Sequence, residues 1–151
     1  MGTDPGSQAM EVHEGGCLCG AVRYQTEGRP LRTSACHCSS CQRRTGSAFG
    51  LGAYFKAEQV RIVRGELRTY EHHSDESGRW LRFQFCPECG TQVTWTSEGL
   101  AGMRAVGLGT FDDPKWLKVE RFGWFSSAHP WIKVPEGVEV FPKAGAVTPP
   151  K

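Results

Sequence analysis

Seven cysteines lie in three tight clusters along the 151-residue chain, and their spacing is typical of thiolate metal ligation. The clusters read CLC at 17–19, CHCSSC at 36–41 and CPECG at 86–90. Packing in a hydrophobic core does not require cysteines that are separated by only one or two residues. Ligation of a shared metal ion does, because it brings the sulfur atoms of nearby residues together. Structural zinc takes four protein ligands, while catalytic zinc usually takes three and keeps one position open. Seven cysteines therefore match one site of each kind.

The local backbone of each cluster favours convergence of the sulfur atoms. Residues i and i+2 of an extended segment share a face, so we expect Cys17 and Cys19 to approach one ion from such a segment. Cys86 and Cys89 flank a predicted turn, where Gly90 can adopt a positive φ. The central cluster contains both an i, i+2 pair, Cys36 and Cys38, and an i, i+3 pair, Cys38 and Cys41, so three sulfur atoms can converge from one short loop. The residues alone leave open whether the first and third clusters share a site or form separate sites with histidine or aspartate ligands.

Disulfides explain the same cysteines poorly. The odd count leaves one thiol over, and cysteines at i and i+2 are awkward to bridge to each other. Residues 1–10 have no apolar core of a secretory signal and resemble a vector remnant, with Met10 as a plausible start. No apolar stretch approaches the length of a membrane span. We therefore expect a reducing, cytoplasmic setting, with a single domain at 11–145 and a loose tail at 146–151.

The formal net charge of +2 does not indicate a nucleic-acid partner. Seven thiolates and two Zn²⁺ ions would together contribute −3, which takes the net charge to about −1. The chain also has no long basic run. Both observations argue against a zinc-ribbon nucleic-acid binder.

Alternating apolar and polar residues predict a mainly β protein in which strands position the clusters. The clearest prediction is a hairpin whose strands, 79–85 and 92–96, flank the third cluster. A helical turn is predicted at 39–45, after the central cluster. Further strands are predicted at 21–26, 48–55, 60–63, 67–71, 104–108 and 138–141. The tryptophans are assigned mostly to the core, and His72 and His73 to an exposed, turn-like stretch.

Three segments carry a resemblance to a known family: GGCLCGAVRY, CHCSSCQRRTGSAF and FCPECGTQVTW. These three motifs, and the order in which they occur, resemble the signatures of the glutathione-dependent formaldehyde-activating enzymes, a family that includes centromere protein V-like domains. The resemblance covers roughly 13–145. It implies small antiparallel sheets in a β-tent arrangement organised around two zinc ions per chain. It implies a structural zinc on Cys17, Cys19, Cys86 and Cys89, and a second, catalytic-type zinc on Cys36, Cys38 and Cys41.

The resemblance also implies an activity, a carbon–sulfur lyase that condenses a small thiol such as glutathione with an aldehyde such as formaldehyde. At a three-cysteine zinc, the open position would lower the pKa of the incoming thiol. His37 is a candidate for proton transfer or for a reserve ligand, or else has a purely structural role. Arg43 and Arg44 are candidates for binding the carboxylates of the thiol substrate.

The main rival interpretation is a non-catalytic zinc-binding scaffold or interaction module, as the centromere protein V-like members suggest. In that case both zinc ions would be structural. The sequence identifies neither the true substrates nor the oligomeric state.

Overall fold

The computed structural model describes residues 11–75 and 77–144, so both predicted terminal segments, 1–10 and 146–151, lie outside the described residues. Within this part of the chain, the strands are β1 (Val12–Gly16), β2 (Arg23–Glu27), β3 (Arg32–Cys36), β4 (Gly50–Lys56), β5 (Val60–Arg64), β6 (Arg68–His73), β7 (Trp80–Phe85), β8 (Gln92–Ser97), β9 (Met103–Gly107), β10 (Arg121–Gly123) and β11 (Glu139–Val140). A helix, α1 (Ser39–Thr45), lies between β3 and β4. Short 3₁₀ turns lie at Ala57–Gln59, Glu98–Leu100, Leu108–Thr110, Pro114–Trp116 and Phe125–Ser127.

The strands form two sheets, which confirms the prediction of a mainly β fold. The smaller sheet has the order β1-β2-β5 and is antiparallel. The larger sheet has the order β11-β10-β3-β4-β9-β8-β7-β6. Its pairs are antiparallel except at one edge, where β10 runs parallel to both β3 and β11.

The main core lies between the two sheets. Val22, directly before β2, and Tyr24 of β2 are buried in one cluster with Ala53 and Phe55 of β4. Phe111 adds an aromatic contact, with its ring centroid 5.4 Å from that of Tyr24. The alternation read from 21–26 thus predicted the buried face of β2 correctly, because the side chains of a strand alternate between its two faces.

Helix α1 confirms the helical turn predicted after the central cluster. Its N-cap is Cys38, whose side chain accepts a hydrogen bond from the Cys41 N–H, and it ends at Gly46 with φ 66°. Glycine tolerates this left-handed conformation at a helix end without strain. None of the helices in the described ranges combines the length and apolar character that crossing a membrane requires.

The predicted strand–turn–strand hairpin around the third cluster is confirmed as β7 and β8. The sequence did not predict β1, β3 or β10. β1 ends in two glycines and β3 reads RTSAC, so neither has the β-branched or aromatic alternation that favours strands. β3 is nevertheless paired on both sides, with β4 and with β10.

Two predictions about aromatic and imidazole side chains were wrong in part. His72 and His73 lie within β6 rather than in a turn; His73 is exposed as predicted, with its ring 3.0 Å from Glu71, but His72 is half-buried. Of the tryptophans, only Trp95 is buried, while Trp131 is 66% exposed. The core is filled instead by phenylalanine, tyrosine and valine side chains.

Candidate metal centres

The first candidate centre brings together four cysteines from distant parts of the chain. The sulfur atoms of Cys17, Cys19, Cys86 and Cys89 all lie within 4.8 Å of one another. The Sγ atom of Cys19 lies 3.7 Å from that of Cys17 and 3.8 Å from that of Cys86. A tetrahedral zinc with Zn–S bonds of about 2.3 Å separates its sulfur ligands by about 3.8 Å. The geometry therefore fits a four-thiolate zinc.

Two tight turns present these sulfur atoms. Cys17–Gly20 and Cys86–Gly90 are each closed by a backbone hydrogen bond, and both glycines have positive φ. The turn at Cys17 corrects the prediction of an extended segment there. The φ of 79° at Gly90 confirms the prediction for that residue. Backbone N–H groups point at two of the sulfurs, from Val22 to Cys17 at 3.2 Å and from Glu88 to Cys86 at 3.3 Å.

This centre joins the two sheets. Cys17 directly follows β1 of the smaller sheet, and Cys86 directly follows β7 of the larger one. Both of these cysteines are buried. A metal ion held here would link the sheets at one end of the core that they share.

The second candidate centre is formed by Cys36, Cys38 and Cys41. Their sulfur atoms lie within 4.8 Å of one another, and all three residues are half-buried. Cys36 ends β3, Cys38 caps α1 and Cys41 lies in the first turn of that helix. In the part of the chain that the structure describes, no further cysteine, histidine, aspartate or glutamate joins this group. The group could therefore hold a metal ion with three sulfur ligands.

Hydrogen bonds favour the thiolate form at one cysteine of each cluster. In the first, the side chain and the backbone of Thr91 lower the pKa of Cys89 to about 5. In the second, hydrogen bonds from the Cys36 and Cys41 thiols lower the pKa of Cys38 to about 2, and the bond to Cys38 raises the pKa of the Cys36 thiol that donates it. Metal ligation requires the thiolate form, so a cation that binds the three sulfurs would displace the protons of the donating thiols.

His37 lies in an apolar environment outside the group of three sulfurs. It is fully buried, and its ring packs against Phe49, Phe122 and Phe125 with centroid distances of 5.1, 4.8 and 5.4 Å. Neither ring nitrogen has a hydrogen-bond partner among the described residues. Burial, followed by the nearby His129, lowers the pKa of His37. The structure therefore gives His37 the surroundings of a neutral core residue, in line with the structural alternative.

Arg43 and Arg44 occupy different environments, although they are neighbours on α1. Arg43 is exposed. The Arg44 guanidinium lies between two rings, 4.7 Å from the Phe83 centroid and 4.8 Å from the Trp95 centroid. It donates hydrogen bonds to the side chain of Gln92 and, at 3.7 Å, to the Sγ of Cys41. Arg44 thus contacts a cysteine of the second centre directly.

Two glycines of β4 make room for this arrangement. A Cβ atom on Gly50 would lie 2.5 Å from Nη2 of Arg44, and one on Gly52 would lie 2.7 Å from the ring of Trp95. Gly50 pairs with Cys36 in the sheet, so both glycines share the face that carries the second centre. These glycines and Gln92 were not predicted from the sequence, because a glycine or glutamine within a strand pattern gives no signal of its spatial neighbours.

Tyr54 is a further residue on this face that the sequence did not single out. It lies two positions beyond Gly52, and its ring packs edge-on against Trp95 with a centroid distance of 6.3 Å. Burial raises the pKa of Tyr54 to about 12, so its hydroxyl is neutral at physiological pH. The second centre thus lies beside a wall of aromatic side chains with one embedded guanidinium.

Comparison with known proteins identifies the family. Residues 12–127 match the family described as glutathione-dependent formaldehyde-activating enzyme. The chain belongs to this family. Membership agrees with the resemblance read from the three cysteine motifs, and it supports a function related to glutathione and formaldehyde. It also agrees with two cysteine clusters that could bind metal ions.

Among solved structures, the chain is similar to a crystal structure of a Rhodobacter sphaeroides protein. The TM-score is 0.55 and the sequence identity is 24%, over 70% of this chain and 96% of that chain. At this level of identity the likeness establishes a shared fold.

Proposed function

We propose that this chain is a zinc-dependent enzyme of the carbon–sulfur lyase type, which joins a small thiol such as glutathione to an aldehyde such as formaldehyde. The observation that carries the proposal is the group of three cysteine sulfurs without a fourth side-chain ligand among the described residues, in a chain of this family. Free cysteines throughout the described part of the chain suit a reducing, cytoplasmic setting.

Each cluster would hold one zinc ion. The donor set of Cys17, Cys19, Cys86 and Cys89 is complete, so its zinc would be structural. Cys36, Cys38 and Cys41 would hold the other. A zinc ion with three thiolate ligands keeps a coordination position for substrate and lowers the pKa of a thiol that occupies it.

The reaction itself is an addition that needs no oxidant or reductant. The thiol sulfur forms a bond to the carbonyl carbon, the C=O π bond breaks, and the thiol proton ends on the former carbonyl oxygen. Arg44 would position Cys41 and partly neutralise its thiolate through their hydrogen bond. Arg43, which is exposed, remains a candidate contact for a substrate carboxylate. We assign no proton transfer to His37, because its ring is enclosed by phenylalanines.

The proposal is tested by measuring the exchange of ¹³C-formaldehyde with its thiol adduct by magnetisation-transfer NMR. Zinc-loaded protein should accelerate adduct formation above the spontaneous rate. Cys38→Ser should return the rate to the spontaneous value, because it removes one of three ligands. Glutathione, cysteine and 2-mercaptoethanol should be compared to define the thiol.

Absence of acceleration with every thiol, in protein that carries metal in both centres, would contradict the enzymatic proposal. That result would favour the non-catalytic scaffold.

A further inference from the structure

Two adjoining cavities open on the face of the larger sheet opposite the three-cysteine centre. One has a volume of about 400 Å³ and includes Ala35 in its lining, and the other has about 260 Å³ and includes Thr33. Thr33 and Ala35 are two positions apart on β3 and are both buried, so they share a face, while Cys36 points to the other. Leu117 and Lys118 line both cavities. The cavities are therefore neighbours with a common wall.

The larger cavity is apolar. Its lining is mainly aliphatic and aromatic and includes Leu51, Leu108, Phe122 and Ile132. Trp131 also lines it while remaining 66% exposed, which is unusual for so large an apolar side chain. The volume lies within the range of small-molecule sites, which are mostly lined by hydrophobic and aromatic side chains.

The charged residues that line the larger cavity are all cationic. Lys118 and Lys133 contribute to it, and no aspartate or glutamate does. Neither lysine forms an ion pair with an acidic side chain among the described residues. An apolar cavity with lysines as its charged residues favours a ligand that combines an apolar body with an anionic group.

The smaller cavity is a cationic cleft. Arg29, Lys115 and Lys118 line it, against a single acidic residue, Glu120. The Glu120 carboxylate already accepts a hydrogen bond from the Thr33 N–H at 3.0 Å.

Arg29 and Trp116 lie together in the lining of this cleft. The Arg29 guanidinium lies over the Trp116 ring, 5.2 Å from its centroid, and also contacts Glu11 at 3.4 Å. Lys115 and Lys118 have no ion pair with an acidic side chain within the described ranges. The cleft therefore offers uncompensated positive charge to an anion.

We propose that this pair of cavities binds an amphipathic anion, a medium-length aliphatic chain with a carboxylate or phosphate head. The aliphatic chain occupies the apolar cavity. The head lies at Lys118, on the wall shared with the cationic cleft. The cavities lie on the face of β3 opposite Cys36, and none of the seven cysteines lines either of them. The larger cavity nevertheless comes close to the second centre, because Phe49 and Phe122 of its lining pack against His37.

Isothermal titration calorimetry on the metal-loaded protein tests the aliphatic part of the proposal. Hexanoate, octanoate and decanoate are titrated below their micellar concentrations. Each added methylene should tighten binding by about fourfold until the cavity is filled. Comparing the affinities of octyl phosphate and octanoate shows whether the site prefers a phosphate or a carboxylate head group. Decanol and decyltrimethylammonium should bind more weakly than decanoate, because they lack the negative charge.

Substitutions test the placement of the ligand. Lys118→Met should weaken decanoate binding roughly three- to tenfold and leave decanol unchanged. The matched control is Lys143→Met, a lysine outside both cavities, which should change neither. Leu51→Trp should fill the apolar cavity and abolish binding. Ile132→Trp serves the same purpose if circular dichroism shows that the first variant is unfolded.

Several results would overturn the proposal. These are no detectable binding of any anionic amphiphile, affinity that does not depend on chain length, or equal affinity for the ammonium compound. Binding that survives both tryptophan variants in folded protein would also overturn it. So would loss of decanoate binding in Cys38→Ser, because that would place the ligand at the cysteine centre.

Discussion

At the scale of single residues, Arg43 and Arg44 have different surroundings. Both were sequence candidates for binding substrate carboxylates. Arg43 is exposed and forms no ion pair within 11–75 and 77–144, while Arg44 is held between Phe83 and Trp95. The sequence could place both arginines next to the central cluster. It could not predict which one is enclosed, because the enclosing rings come from β7 and β8, far along the chain.

Replacing Arg44 should change the electronic environment of the second centre. In protein loaded with cobalt, Arg44→Met should move the sulfur-to-cobalt charge-transfer absorption to longer wavelength. The reason is that a hydrogen bond to Cys41 lowers the energy of its sulfur lone pairs, and the variant loses that bond. Loss of the two aromatic contacts should also lower the free energy of unfolding by about 1–2 kcal/mol.

Arg43→Met is the matched control on the same helix, and it should leave both the spectrum and the unfolding midpoint nearly unchanged. Arg44→Lys separates charge from shape, because lysine keeps the charge but not the planar stack. An Arg44→Met spectrum identical to that of Arg43→Met would show that Arg44 contributes only to packing.

At the scale of secondary-structure elements, the two cysteine centres differ in what they connect. The first joins β1 of the smaller sheet to the turn between β7 and β8 of the larger sheet. The second is contained in the segment from the end of β3 into α1. Loss of a metal should therefore have global consequences at the first centre and local ones at the second.

Cys86→Ser and Cys38→Ser test this difference. Cys86→Ser should yield poorly folded or insoluble protein, because a structural zinc can contribute binding free energy on the order of 10 kcal/mol to folding. Cys38→Ser should remain folded by circular dichroism and carry one metal ion fewer by elemental analysis. Equal loss of folding in the two variants would make the second centre structural as well and would favour the scaffold.

The elements also show what the sequence could and could not predict. The β7–β8 hairpin was predictable, because alternating apolar residues flank an evident turn motif. β3 was not, because its residues are small and polar, although pairing on both sides places Thr33 and Ala35 in the interior. The pairing of the first and third clusters did not follow from their spacing; it came from the family resemblance, and the structure brings the same four sulfurs together.

At the scale of the whole molecule, one sheet carries different chemistry on its two faces. The face with Gly50, Gly52 and Trp95 borders the three-cysteine centre. The opposite face packs against the smaller sheet and, further along, lines the apolar cavity. The proposed thiol chemistry and the proposed amphiphile site therefore lie on opposite faces of β3, and they approach each other at His37, which packs against Phe49 and Phe122 of the cavity lining.

The proposed thiol chemistry requires that a metal ion at the three-cysteine centre keep a coordination position that a substrate thiol can occupy. Titrating glutathione, cysteine and 2-mercaptoethanol into cobalt-substituted protein tests it directly, since a fourth sulfur ligand adds charge-transfer absorption. We expect saturable growth of this absorption in the wild-type protein and none in Cys38→Ser, and stronger binding of glutathione would support a carboxylate contact such as Arg43. No spectral change with any thiol, in protein shown to hold cobalt at Cys36, Cys38 and Cys41, would contradict the account.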